Sequence, residues 1–198
     1  MRRKQLAPGI TVYSDVIDGY ETLIQDIEDG IVSAGLEWVQ SSVKKNDTTQ
    51  VDTESRDTLT IGVPYNDHIV EDFLNLNNAF ASSLSNIFLL GFRQPEIDYK
   101  MEHNVETTWH DQYGILKYGQ GQKFINHIDD HKDYHRRIST VYYMNDNYSG
   151  GEIVFPRFGI RYKPKANELL IFPSTYVYNH SVLPVTEGTR YAVVSWLR

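Results

Sequence analysis

His127 and Asp129 stand two residues apart in the stretch Tyr118-Gly-Gln-Gly-Gln-Lys-Phe-Ile-Asn-His127-Ile-Asp129-Asp-His131. After its glycine-broken loop the stretch reads as extended, and residues two apart on a strand share a face. An imidazole and a carboxylate projecting together are two thirds of a divalent-metal site. A second histidine would complete a two-histidine, one-carboxylate set, which leaves coordination positions open and suits non-haem Fe(II) oxygen chemistry. The chain has no cysteine, so thiolate metal sites, disulfides and a cysteine nucleophile are excluded. A lone His-x-Asp is more often a surface pair, so the reading depends on what joins it.

Six other histidines could supply the third ligand: His68, His103, His110, His131, His135 and His180. His131 would share the strand face of 127 and 129. Three ligands along one extended segment span about 13 Å at roughly 3.3 Å per residue, too far for one metal without a bend. His180, in Tyr-Asn-His-Ser-Val-Leu-Pro-Val, is flanked by strand-like sequence and closes a compact site more easily. Ten residues on, Arg190-Tyr-Ala-Val-Val-Ser-Trp196-Leu alternates with both faces largely apolar, so the strand should be buried. A guanidinium there needs an anionic partner, either a protein carboxylate or the carboxylate of a bound organic acid.

These residues need a scaffold. Asp18-x-x-Glu21 reads as a capping box, followed by Tyr20, Leu23, Ile24, Ile27 and Ile31 at helical spacing, with Gly35 as the stop. A second helix is expected over about 67–90 from the stripe Ile69, Phe73, Leu76, Phe80, Leu84 and Ile87. Strands are expected at 36–43 and 58–63, flanking a polar, aperiodic 44–56 that should be a mobile loop; residues 44–57 are a candidate lid. Beyond residue 97, short strands near 98–104, 108–118, 123–129, 138–144, 152–155, 159–163, 168–172, 177–183 and 190–197 are punctuated by glycine, proline and asparagine. The expected fold is mainly β, a double-stranded β-helix (jelly roll) core with two N-terminal helices packed on the outside, forming one domain over 1–198.

The ordered series Tyr118, Gly121-Gln-Lys-Phe124, His127-x-Asp129, Arg136, Tyr143-Met-Asn145, Gly150-Gly151-Glu152, Pro164, Leu170-x-Phe172, His180-x-Val182, Pro184-Val185, Gly188-x-Arg190-Tyr191 and Trp196 resembles the Fe(II)- and 2-oxoglutarate-dependent dioxygenases of the prolyl 4-hydroxylase type. The likeness spans roughly residues 97–198 and points to a small single-domain microbial or phage member. It implies that His127, Asp129 and His180 hold Fe(II), and that Arg190 pairs with the distal carboxylate of 2-oxoglutarate, helped by Tyr118. Some members of the family carry lysine at the Arg190 position. Tyr143 matches a residue lining the co-substrate pocket, and Arg136 and Trp196 match substrate-side positions. The implied reaction consumes O2 and 2-oxoglutarate, releases succinate, admits ascorbate, and hydroxylates a peptide or protein substrate containing proline. Related halogenases lack the carboxylate, so Asp129 speaks for hydroxylation. A free amino acid or small metabolite as substrate, and a non-enzymatic metal-binding jelly-roll module, are the alternatives.

Composition bounds the rest. At 198 residues, 40% hydrophobic and 23% charged, the chain suits one domain with a real core. A net charge of −7 disfavours a nucleic-acid partner, although Lys132, His135, Arg136 and Arg137 cluster after the central stretch. The basic start MRRKQLAPG leads into no apolar run and nothing approaches membrane-spanning length, so a cytoplasmic protein without a membrane partner is expected.

Overall fold

Short alternating segments leave each strand one face to bury, and two sheets stacked face to face bury both. The computed structural model describes residues 1–45, 48–63, 78–133 and 135–198. Its first half comprises β1 (Arg2–Ala7), β2 (Ile10–Ser14), α1 (Leu23–Ser33), β3 (Val39–Gln40), β4 (Ser42–Lys45), β5 (Thr48–Val51), β6 (Leu59–Val63) and α2 (Asn78–His103). Then come β7 (Tyr113–Tyr118), β8 (Phe124–His127), β9 (Ile138–Tyr143), β10 (Ser149–Gly150), β11 (Ile153–Phe155) and β12 (Ile160–Tyr162). The chain ends with β13 (Glu168–Pro173), β14 (His180–Val182), β15 (Val185–Glu187) and β16 (Arg190–Leu197).

An eight-stranded antiparallel sheet runs β1-β2-β13-β9-β16-β7-β6-β3, and a four-stranded sheet runs β12-β11-β14-β8. One face of the large sheet, with Tyr13, Ile115, Tyr142, Leu169 and Val193, packs on Leu23, Ile27, Leu84, Phe88 and Phe92 of the two helices. The other face, with Ile10, Val141, Tyr143, Leu170, Phe172 and Ala192, meets Ile153 and Phe155 of the small sheet. Each such fully buried side chain is worth about 1.5–3 kcal/mol of removal from water. β16 lies between β9 and β7 near the middle of the large sheet, as its two apolar faces require. No helix among the described residues is long and apolar enough to cross a membrane.

The helices depart from expectation. No capping box forms: Gly19 is left-handed, residues Tyr20–Thr22 make one 3-10 turn, and the α-helix begins only at Leu23. Its end is as read, with Gly35 at φ +66 and the Leu36 N–H returning to Ile31 O, a Schellman closure. The second helix is central and not N-terminal. Its expected start over 67–77, with Ile69, Phe73 and Leu76, lies outside the described residues. It runs on to His103, so the strand expected at 98–104 is helix. Neither Gly91 nor Pro95 ends the helix: Gly91 lets it touch Ile17, which a Cβ would meet at 2.5 Å. Phe92 and Tyr99, both buried, hold the last turns to the core and outweigh the one hydrogen bond that Pro95 removes.

The polar 44–56 segment is no featureless loop. β4 and β5 form a two-stranded ribbon, and Ser55–Asp57 then lies along β8 through Ile125 N–H to Ser55 O and Asp57 N–H to Lys123 O. β1, rich in charge and exposed, caps the sheet edge beside β2 and went unpredicted.

Candidate metal centre and organic-acid pocket

β8 and β14 are neighbours in the small sheet, and their pairing sets His127 directly opposite His180. The strand stops at His127, so Asp129 reaches the same space from the following turn, not from a shared strand face. Ligand atoms of His127, Asp129 and His180 all lie within 4.8 Å of one another, the only such trio of metal-ligating side chains among the described residues. His127 Nε2 is 3.5 Å from Asp129 Oδ1, and His180 Nε2 is 3.8 Å from Asp129 Oδ2. His131 instead turns toward Asp133, its Nδ1 3.6 Å from that carboxylate.

Each ring is held by its other nitrogen. His127 Nδ1 faces Ile125 O at 2.8 Å, and His180 Nδ1 faces Tyr178 O at 3.1 Å. Carbonyls accept only, so both Nδ1 atoms carry a proton and both Nε2 atoms face the carboxylate. Phe124 stacks on His127 at 3.5 Å between ring centroids, while Phe155 and Phe172 flank His180. Burial pushes His180 down to about 4, keeping it neutral. Burial works against the Asp129 charge too, but the facing His180, the neighbouring His127 and the Ser139 hydroxyl outweigh it and hold the carboxyl below the usual carboxylate range. Two imidazoles and one carboxylate fit a divalent cation such as Fe(II).

Arg190 begins β16 opposite Tyr118 on β7. It is 1% exposed, with its Cζ 4.7 Å from the Tyr118 ring centroid and 5.1 Å from that of Tyr143. Burial pushes the Tyr143 and Tyr148 phenols up, so both stay neutral. Arg190 Nε and Nη1 and the hydroxyls of Tyr143 and Tyr148 are all buried, and none has a hydrogen-bond partner of acceptable geometry among the described residues. Four buried donors, two of them the cation's own, with no salt-bridging carboxylate among the described residues, fit an organic acid and not a protein ion pair.

Arg136 lies flat on Trp196, its Cζ 3.6 Å from the ring centroid, and bonds to Asp111 Oδ2 and Asp129 O at 3.2 Å each. The two residues named from the resemblance as substrate-side positions are thus one packed unit beside Asp129. Arg56 sits over Phe124, the ring that stacks on His127. Sequence reasoning missed Ser139, whose hydroxyl donates to Asp129 Oδ2 at 2.7 Å and contacts Ser174 Oγ at 2.8 Å. The available signal was its place on β9, sharing the inward face with Val141 and Tyr143. Tyr148, outside any strand, was missed too.

The family model for the 2OG-Fe(II) oxygenase superfamily matches residues 113–198. A PKHD-type hydroxylase of Prochlorococcus marinus is 36% identical over 84 residues, 39% of this chain and 37% of that protein. The chain therefore spans well under half the length of the curated relatives it matches. A Pseudomonas putida prolyl-4-hydroxylase superposes with a TM-score of 0.69 at 18% identity, over 96% of this chain and 92% of that one. A prolyl hydroxylase from Trichoplax adhaerens, in complex with a hypoxia inducible factor oxygen degradation domain peptide fragment, gives 0.70 at 19% identity, over 96% and 83%. At these identities the two structures speak to the fold, the oxygenase jelly roll. Residues 113–198 thus match the 2OG-Fe(II) oxygenase superfamily, and the chain shares the fold of these two prolyl hydroxylases.

Proposed function

We propose that this protein is an Fe(II)- and 2-oxoglutarate-dependent hydroxylase acting on prolyl residues of a peptide or protein. The observation that carries the proposal is the His127–Asp129–His180 cluster together with a buried guanidinium whose Nε and Nη1 have no hydrogen-bond partner among the described residues. The relatives' names, PKHD-type and prolyl hydroxylases, and the peptide bound to one structural neighbour support the substrate class.

His127 and His180 would hold the metal through Nε2, with Asp129 as the anionic ligand. Bound Fe(II) with 2-oxoglutarate supplies O2 activation, in which the co-substrate is oxidatively decarboxylated to succinate and one oxygen atom enters a substrate C–H bond. The two carbonyls on the Nδ1 atoms, and Ser139 on Asp129, fix the ligands before the metal arrives. Arg190 binds the distal carboxylate bidentately, with Tyr118 and Tyr143 beside it. Arg136, stiffened on Trp196 beside Asp129, is placed on the substrate side of the metal centre. The ribbon of β4 and β5 with Arg56 is our lid, closing over the Phe124–His127 edge to exclude water. We treat residues 1–198 as a single domain, because β1 and β2 extend the sheet that carries Arg190.

The test is succinate release from 2-oxoglutarate with Fe(II), with mass spectrometry of the peptide. Proline-containing peptides should stimulate release and gain one oxygen on proline, and free proline should not. Stimulation by free proline alone would refute the peptidyl substrate.

A further inference from the structure

The segment Tyr148-Ser149-Gly150-Gly151 packs against Arg190. Gly150 and Gly151 are both left-handed, at φ +70 and +64, a conformation that glycine adopts without the steric cost of a Cβ. A Cβ on Gly151 would sit 3.0 Å from Arg190 Cδ and 3.0 Å from Tyr148 Cε2. The absent side chain is therefore what lets the guanidinium stem and the Tyr148 ring close on each other. Lys163 clamps the turn from behind. Its ammonium donates to Tyr148 O and Gly150 O at 2.8 Å each and lies 3.3 Å from the centre of the Tyr148 ring.

So held, Tyr148 is 6% exposed with its hydroxyl unpaired. Phenylalanine would fill the same volume without burying an unsatisfied hydroxyl. A carboxylate offers about four lone-pair sites. The Arg190 guanidinium can serve two of them, and the hydroxyls of Tyr143 and Tyr148, without a hydrogen-bond partner among the described residues, are further buried donors beside it.

We infer that Tyr148 is a specificity-determining contact for the co-substrate: its hydroxyl donates to the distal carboxylate of 2-oxoglutarate, and the Lys163-clamped glycine turn aims it there. The inference rests on the oxygenase reading above. It makes the selectivity for a dicarboxylic 2-oxo acid depend on a residue that lies on neither β7, β9 nor β16.

The test is anaerobic calorimetric titration of the full-length Mn(II)-loaded protein with 2-oxoglutarate and with 2-oxopentanoate, which has the same carbon chain without the distal carboxylate. Tyr148→Phe should weaken 2-oxoglutarate binding by about tenfold or more, the worth of a hydrogen bond to a charged group. Binding of 2-oxopentanoate should be unchanged, and the unfolding midpoint of the unliganded protein should not fall. Lys163→Gln, which keeps the hydroxyl but frees the ring, should lower 2-oxoglutarate affinity in the same sense by a smaller factor. Equal loss for both acids, or no loss in either variant, would overturn the inference while leaving the oxygenase reading in place. Failure of the unmodified protein to bind 2-oxoglutarate would sink that reading itself, and this inference with it.

Discussion

Replacing Arg190 by methionine should do two things of opposite sign. The guanidinium is 1% exposed, its Nε and Nη1 have no partner among the described residues, and the phenols beside it are neutral. Without a bound acid it is a buried charge in deficit, and exchanging buried ionic groups for apolar ones of like volume is neutral or stabilising by about 1–4 kcal/mol. Taking about 1–3 kcal/mol here, with roughly 2–4 °C per kcal/mol for a chain of this length, Arg190→Met should raise the unfolding midpoint of the unliganded protein by about 2–12 °C. The same change removes two charge-assisted hydrogen bonds to the distal carboxylate, about 1.5–3 kcal/mol each, or roughly a 10²–10⁴-fold loss of 2-oxoglutarate affinity. Scanning calorimetry with Mn(II), with and without saturating 2-oxoglutarate, reads both effects. The unmodified protein should be stabilised by the acid and the variant should not respond. A variant less stable than the parent when unliganded, yet still stabilised by 2-oxoglutarate, would show that Arg190 is structural and the reasoning wrong.

His180→Ala should abolish Fe(II) binding by equilibrium dialysis while His131→Ala leaves it intact; the reverse pattern would remove His180 from the metal set. Ser139→Ala, which strips the donor from Asp129 Oδ2, should weaken metal affinity by about 10- to 100-fold with little change in 2-oxoglutarate discrimination, and an unchanged metal affinity would mean that Asp129 is oriented without it. Limited proteolysis between β4 and Arg56 should slow when metal, 2-oxoglutarate and a proline-containing peptide are all present. An unchanged cleavage rate would argue against the lid.

The strands that carry the site were largely legible, because their patterns are local. β16 alternates over its whole length between helix-facing and site-facing residues, and glycine and proline mark the ends of most C-terminal strands. The meeting of His127 with His180 is a different matter: it is fixed by antiparallel register across 52 intervening positions of chain, which no periodicity encodes, and the ordered likeness to a known family supplied it. The last three turns of α2 were hidden behind Gly91 and Pro95, since propensity yields to the burial of Phe92 and Tyr99. β5 is exposed along its whole length and leaves no burial pattern. Ser139 and Tyr148 look ordinary in one dimension and matter only through what the fold leaves unpaired beside them.

The most direct measurement is an anaerobic titration of the Fe(II)-loaded protein with 2-oxoglutarate, followed by visible absorption. A metal-to-ligand charge-transfer band saturating at one 2-oxoglutarate per chain, and lost in both His180→Ala and Arg190→Met, is the expected result. A protein that binds iron but develops no such band, or a band indifferent to Arg190, would contradict the joining of the metal cluster and the buried guanidinium into one centre.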